Sequence, residues 1–524
     1  MSSELPSNVY PAPRTVKPRT RTPKHLPVIA IINDQVLTED GESMLLDQLV
    51  RRLPNMDSTL FAATNGADLL AYLDNMFAVP YPTVWQWRTT DISREIPASN
   101  PKIKYVRSVT VAVQFFGFRE IGEKSQYHRL IDPVTMYGKD LLTGSESRIV
   151  QLLNWAVALR DWCSQNGLEV RPTTGGISAQ LLTDPRFYPE ARRKVPAATN
   201  EQVRGHLPGN HYYLDVEPSP EREYNAHYID QHRAHHYHAK LIHFPHANHL
   251  YAYGNFHNVE SGYYRNQPSP QFMGLYCLDL QLPEDAVAFS WLINEDLDDI
   301  AAGKLACRYL YTNELTHILD MGYKILGIRA AWGSTHRDTG LNNLAAWACD
   351  QLDKHNDPVW LKPLLLSAYG CLACRGDHAE TVFRIAKSGE EKTFATGKRR
   401  LTGLSTKRPH KLEPKIVNVL HRGMIEAATR SESIGLAQHL TLHGQRVIQI
   451  YADGVIAEAN DDLPLPLLPE PWEVKHNLTH YQPLSRQALL SDQITRLPGI
   501  GHADLRAYNE RRTIEHVIPQ ANTN

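Results

Sequence analysis

The chain has 524 residues, a net charge of −2, 42% hydrophobic and 21% charged residues. That is ordinary globular composition, with length for two to four domain-sized units. The balanced charge excludes a global basic field, so any nucleic-acid surface must be local. No apolar run reaches the roughly 18 to 20 residues of a membrane span. Six scattered cysteines, with no signal peptide at the start, imply reduced thiols in a cytoplasmic compartment.

In chain order, residues 1–26 are rich in Pro, Thr, Ser and Arg and read as a disordered basic arm. Leu26–Ile32 predicts a short buried strand, followed by helices near Ser43–Leu53 and Ala67–Met76. Val106–Phe118 reads as a long strand, and Glu146–Asn166 as an amphipathic helix ended by Gly167. An α/β unit therefore extends to about residue 205. His211–Asp215 and Ala226–Asp230 read as strand ends; Phe272–Leu282 and Ala286–Leu292 read as strands. A helix over Asn313–Met321 and a strand over Tyr323–Trp332 come next. Leu341–His355 and Val359–Arg375 predict a helical hairpin joined at Asn356-Asp357-Pro358.

From Arg384 to Lys415 ten Lys or Arg stand against three Glu, a net +7 with little apolar periodicity. The expectation is a solvated loop that contacts phosphates, with Lys398, Arg399 and Arg400 as its densest run. Asn418–Gly444 predicts a long helix. In Arg446–Ala459, Asp453-Gly454 is the strongest short hairpin dipeptide, which sets the Asp453 carboxylate at a tip clear of the sheet. A Leu-Pro linker leads to a small polar unit over 472–524.

Three constellations carry chemistry. On the helix through Trp360–Gly370, Lys362, Leu366 and Tyr369 share a face. The bland reading is a core helix with one snorkelling Lys. Asp230 closes one strand and Asp453 tips another, the arrangement two-metal phosphoryl transfer requires. Asp215 and Glu458 are spare carboxylates. The histidines 227, 232, 235, 236, 238, 243, 246 and 249 lack pair-and-pair spacing and read as surface or nucleic-acid-facing residues rather than a zinc site. Cys371 and Cys374 read as core.

In this order the motifs resemble those of family B DNA polymerases. Lys362, Ser367, Tyr369 and Gly370 match the fingers pattern K-x-x-x-N-S-x-Y-G, with Leu366 in place of Asn. Asp230 matches the first palm motif, D-x-x-S-x-Y-P, with Arg233, His235 and His236 at the Ser, Tyr and Pro positions. Tyr451-Ala-Asp453 matches the last palm motif, Y-x-D-T-D-S, with Val455 at the second Asp. Lys475 falls where the family places a Lys against the primer. The likeness covers about 205–480 and leans toward phage, plasmid or mobile-element enzymes, including the protein-primed branch.

The resemblance implies an α/β (α+β) right-hand polymerase: arm 1–26, RNase H-like exonuclease-type unit 27–205, palm 206–332, helical fingers 333–375, basic insertion and second palm part 376–462, and thumb 463–524. It implies template-directed dNTP addition to a primer 3′-hydroxyl, with Mg²⁺ or Mn²⁺ on Asp230 and Asp453, Lys362, Ser367 and Tyr369 at the nucleotide, and His235 against the sugar. Primer-template DNA and dNTPs are the implied partners, with a priming terminal protein in the protein-primed branch. Asn33 and Gln35 stand where an exonuclease wants Asp-x-Glu, so proofreading is expected to be weak or absent. Reverse transcriptase is disfavoured, because Gly454 replaces the second Asp of Y-x-D-D and Asp230 lies too far upstream. The other class of reading is a catalytically weakened polymerase fold that binds DNA or a replication partner.

Overall fold

The structure is a computed structural model. It describes residues 26–53, 56–66, 68–69, 72–73, 83–97, 105–120, 126–188, 195, 197–207, 211–212, 222–254, 262–269, 271–283, 303–373, 378–384, 397–400, 403–410, 416–451, 453–460 and 462–481. Over 83–97, 105–120, 126–127, 197–198, 201, 211–212, 378–384, 397–400, 403–410 and 451 it describes the backbone alone. Most of the N-terminal arm, Asp215, Ala286–Leu292, Cys374 and the end of the polar C-terminal unit lie outside these residues.

The first part contains β1 (Val28–Ile32), β2 (Gln35–Thr38), β3 (Ser43–Leu45), α1 (Leu46–Arg52) and β4 (Leu60–Ala63). Then come β5 (Thr83–Pro97), β6 (Tyr105–Glu120), β7 (Gln126–Ile131), α2 (Pro133–Tyr137), α3 (Arg148–Gln165), α4 (Thr174–Leu181) and α5 (Ala197–Arg204). The middle carries β8 (His211–Tyr212), β9 (Tyr224–Gln231), α6 (Ala234–Leu241), β10 (Phe244–Pro245), β11 (Tyr251–Gly254), β12 (Met273–Gln281) and β13 (Lys304–Tyr311). It continues with α7 (Thr312–Asp320), β14 (Lys324–Ser334), β15 (Arg337–Asp338), α8 (Gly340–Lys354) and α9 (Leu361–Leu372). The last part holds β16 (His378–Arg384), β17 (Gly397–Arg400), β18 (Gly403–His410), α10 (Val419–Leu442), β19 (Val447–Tyr451), β20 (Gly454–Glu458) and β21 (Trp472–Tyr481).

In the first unit β1, β4 and β7 run parallel, while β2 and β3 fold back antiparallel, giving the local order β7-β4-β1-β2-β3. The parallel strands are covered on both faces, so β1 and β4 read as unbroken apolar runs rather than alternating ones. The helix expected from Ser43 starts only at Leu46, because Ser43–Leu45 pair with β2. The basic stretch is a correction to the expected loop. β16 pairs with β5 and β18 pairs with β16, so this segment extends the first unit's sheet to ten strands. Cross-strand backbone bonding fixes these strands, and a charged sequence without alternation hides them.

A five-stranded sheet, order β21-β9-β20-β19-β8, carries the two candidate carboxylates. β21 pairs along β9, so 472–481 belongs to this sheet, on the far side of the linker from the hairpin. A separate four-stranded sheet, β11-β14-β12-β13, packs beside α7 and α10. Helix α10 is buried along much of its length, burying Met424, Ile425, Ile434 and Leu440, each worth about 1.5–3 kcal/mol when taken from water. The α8–α9 hairpin is anchored on the first unit: Ser367 Oγ donates to Thr174 Oγ1 at 2.8 Å, and Trp162 Nε1 donates to Gln351 Oε1 at 3.1 Å. Among the described residues no helix is long and apolar enough to cross a membrane.

Candidate active site

The site is assembled from three strands and one helix. Asp230 sits one residue from the end of β9 and is 2% exposed. Across the ladder it faces Gly454 on β20 and Glu473 on β21. The hairpin turns one residue earlier than the Asp-Gly dipeptide suggests. Gly454 already pairs with Tyr451, so Asp453 falls within the turn and Gly454 opens β20. Packing, rather than the turn, accounts for the glycine: a Cβ on residue 454 would come within 2.6 Å of the Tyr228 ring. The backbone carbonyl of Asp453 accepts from the Gln231 N–H at 3.1 Å, which ties the turn to the end of β9.

Lys475 completes the group. It is the extra residue of a bulge on β21, between the pairs Val474–Ile229 and His476–Tyr228. Its Nζ lies 2.7 Å from Asp230 Oδ2, and the Tyr228 hydroxyl lies 3.4 Å from Oδ1. Burial pulls the Lys475 ammonium down, but the bond and charge of Asp230, with Glu473 and Asp453, carry its pKa above the usual lysine value. Lys362, near the start of α9, goes the other way. Burial and the Lys475 charge lower its pKa, against the pull of Asp230, Asp453 and Asp357. Two carboxylates and two ammonium groups thus share one electrostatic site.

Two carboxylates, one at the end of β9 and one in the neighbouring turn, supply hard oxygens of the kind Mg²⁺ and Mn²⁺ take. Among the described residues no three His, Cys, Asp or Glu gather as a metal cage. Two carboxylate groups alone leave a hard divalent cation to complete its shell with substrate oxygens and water. Val455, at the position of the second palm Asp, is fully buried in the core opposite Ile229.

The other residues expected at the site divide. Tyr369 is fully buried, and its hydroxyl lies 2.8 Å from His236 Nδ1 with the rings edge to face at 5.2 Å. It is His236, not His235, that meets Tyr369. His235 is half-buried, and burial with the nearby Arg422 charge keeps its pKa well down. Ser367 is turned to α4, its hydroxyl oxygen 2.8 Å from both Thr174 Oγ1 and the Pro363 carbonyl, so it fastens the hairpin to the first unit. Lys398, Arg399 and Arg400 lie on β17, where only the backbone is described. The reading of the histidine run as surface is corrected for two members: His236 and His238 are buried, and His238 Nε2 meets Gln231 Oε1 at 2.7 Å. Two residues apart on α6, they point about 200° away from each other, and each is enclosed by its own contact, His236 by Tyr369 and His238 by Gln231.

Sequence reasoning missed Arg233. It adopts a left-handed φ of 54° at the entry to α6 and bonds Asp353 at 2.7 Å and Asp357 at 2.6 Å. One guanidinium thereby couples the end of β9 to the turn of the helical hairpin. In the first unit the acidic side chains near β1 are engaged structurally: Glu39 holds Arg160, and Glu42 holds Arg52 at 2.9 Å.

No family model and no curated protein matches this sequence. Solved structures do. Phi29 DNA polymerase complexed with primer-template DNA and incoming nucleotide substrates aligns at 12% identity over 85% of this chain and 81% of that chain, with a TM-score of 0.50. The same enzyme complexed with single-stranded DNA gives 13% identity, 84% and 80% coverage and a TM-score of 0.49. The family B DNA polymerase of the hyperthermophilic archaeon Pyrobaculum calidifontis aligns at 10% identity over 95% and 66%, with a TM-score of 0.37. At such identities the likeness is one of fold: this chain is built on a DNA polymerase-like fold.

Proposed function

We propose that the chain is a DNA-dependent DNA polymerase of the family B type that adds dNTPs to a primer 3′-hydroxyl. The observation that carries the reading is the convergence of Asp230, on β9, and Asp453, in the turn that opens the paired β20, with Lys362 and Lys475 beside them. Asp230 and Asp453 would hold Mg²⁺ or Mn²⁺; when bound there, the metal supplies charge that acidifies the primer hydroxyl and steadies the pyrophosphate. Lys362 holds the triphosphate oxygens as a point charge. Lys475 leaves Asp230 to take a primer phosphate. Tyr369, locked by His236, gives the nucleotide pocket a rigid floor rather than a free wall. Arg233 keeps the α8–α9 hairpin in register with the carboxylates.

The first unit supports an RNase H-like reading through its β7-β4-β1-β2-β3 order with β1, β4 and β7 parallel. Nuclease chemistry needs carboxylates there, and Val28–Ile32 and Leu60–Ala63 carry none. Primer-template DNA and dNTPs are the substrates, and a priming terminal protein is the partner of the protein-primed branch.

A second reading, a fold that binds DNA without synthesis, is favoured by Val455 in the core and by Lys475 on Asp230. Primer extension with Mg²⁺ and Mn²⁺, run beside a gel shift of the same primed template, separates them. Template-directed extension supports the polymerase; a shift without any extension supports the binding protein.

A further inference from the structure

We infer that the edge formed by β11 and residues 262–269 is a stacking platform for the unpaired bases of single-stranded DNA. Four tyrosines are exposed along it: Tyr251 52%, Tyr253 38%, Tyr263 48% and Tyr264 38%. So much aromatic surface left in water on one edge is unusual for a side chain that prefers burial. The rings form a row. Tyr251 and Tyr253 lie 6.4 Å apart, and Tyr253 and Tyr264 lie 6.3 Å apart with planes only 16° from parallel.

The backbone is shaped to present them. Tyr251 and Tyr253 pair with Gly333 and Ala331 of β14, which put no bulk beside the rings. Tyr263 lies flat over Gly327, where a Cβ would collide with the ring. Its hydroxyl donates to Asp279 at 2.7 Å, and the Arg329 guanidinium sits 5.4 Å above it. The Tyr264 N–H donates to the Ile328 carbonyl at 2.9 Å and the Ile328 N–H to the Arg265 carbonyl at 2.7 Å, which fixes the segment to the sheet.

Charge decides the occupant. Residues 246–254, 262–269 and 324–337 contain Arg265, Lys324, Arg329 and Arg337 and no Asp or Glu. Arg329 is matched by Asp279 from the next strand; Arg265 beside Tyr264 is exposed. The near-parallel faces of Tyr253 and Tyr264, spaced about twice the ~3.4 Å step of a duplex strand and with the exposed Arg265 next to Tyr264 in the chain, suit a polyanion whose bases are pulled apart. A duplex hides its base faces and cannot use the rings. The platform is independent of the polymerase reading, because it uses neither carboxylate and needs no metal.

The test uses the full chain in EDTA with a fluorescein-labelled 20-nucleotide oligo-dT, read by fluorescence anisotropy. Tyr251→Ala/Tyr253→Ala/Tyr264→Ala should weaken binding roughly tenfold or more. The corresponding triple Phe variant keeps the π-faces and should bind as wild type. Unchanged affinity in an alanine variant that melts with wild type would overturn the platform. Should the alanine variant melt early, photo-crosslinking of a 5-iododeoxyuridine oligonucleotide to wild type decides: crosslinks within 251–264 support it, and crosslinks confined to other segments refute it.

Discussion

Lys475 Nζ lies 2.7 Å from Asp230 Oδ2, placed there by a one-residue bulge in the strand that borders β9. The ammonium neutralises a carboxylate that is otherwise out of water. It also crowds Lys362, whose proton is held less firmly because of burial and that neighbouring charge. The site is thus charged at a cost in stability, as functional sites often are.

The cost can be measured at Lys362. Its folded-state pKa lies below the unfolded value, so the unfolded chain binds more protons between the two and folding stability rises with pH through that window. Lys362→Met should therefore raise the melting temperature at neutral pH while abolishing dNTP incorporation. The gain should shrink as pH climbs toward the ordinary lysine range. Calorimetry from pH 7 to 10 checks both.

Acid should act through buried histidines. Burial lowers His236 to about 3, and His128, His206 and His238 to about 4. Each depressed pKa leaves stability intact above about 6.5 and removes it as pH falls toward the folded value, at roughly 1.4 kcal/mol per unit and group. The melting temperature should fall steeply between pH 6.5 and 4. His236→Phe, which cannot titrate, should flatten the slope, and an unchanged slope would contradict the assignment.

A second buried charge pair holds the frame. Arg430 on α10 bonds Glu314 on α7, and both are nearly inaccessible. Arg430→Met strands the carboxylate and should cost about 3–5 kcal/mol in urea melts. Adding Glu314→Leu should recover most of that loss.

The first unit is expected to leave DNA ends intact. A 3′-labelled single strand incubated with Mg²⁺ or Mn²⁺ should show no shortening, because β1 and β4 present Val, Ile, Leu, Phe and Ala where carboxylates are needed. Stepwise shortening that survives Asp230→Ala would require a nuclease site elsewhere.

Much of the frame was legible because its signals are local. The helices over 340–354 and 361–372 follow a 3.6-residue period, and the hairpin of Asp453 follows strand composition and a glycine. Asp230 was legible as the end of an apolar run. What the sequence hid depends on partners far along the chain. The bulge that aims Lys475 exists only against β9, and the strands at 378–384 and 403–410 arise on the free edge of β5. His236 looked like a polar surface residue because nothing local reports that α6 turns it onto Tyr369. Arg233 looked like a mismatch because its carboxylate partners lie 120 and 124 residues away.

The central claim is that Asp230 and Asp453 together support nucleotidyl transfer. Primer extension by wild type, Asp230→Asn and Asp453→Asn, with circular dichroism confirming the fold of each, tests it most directly. Extension by wild type and loss to background in both variants is the predicted result; full extension by either variant would contradict the claim.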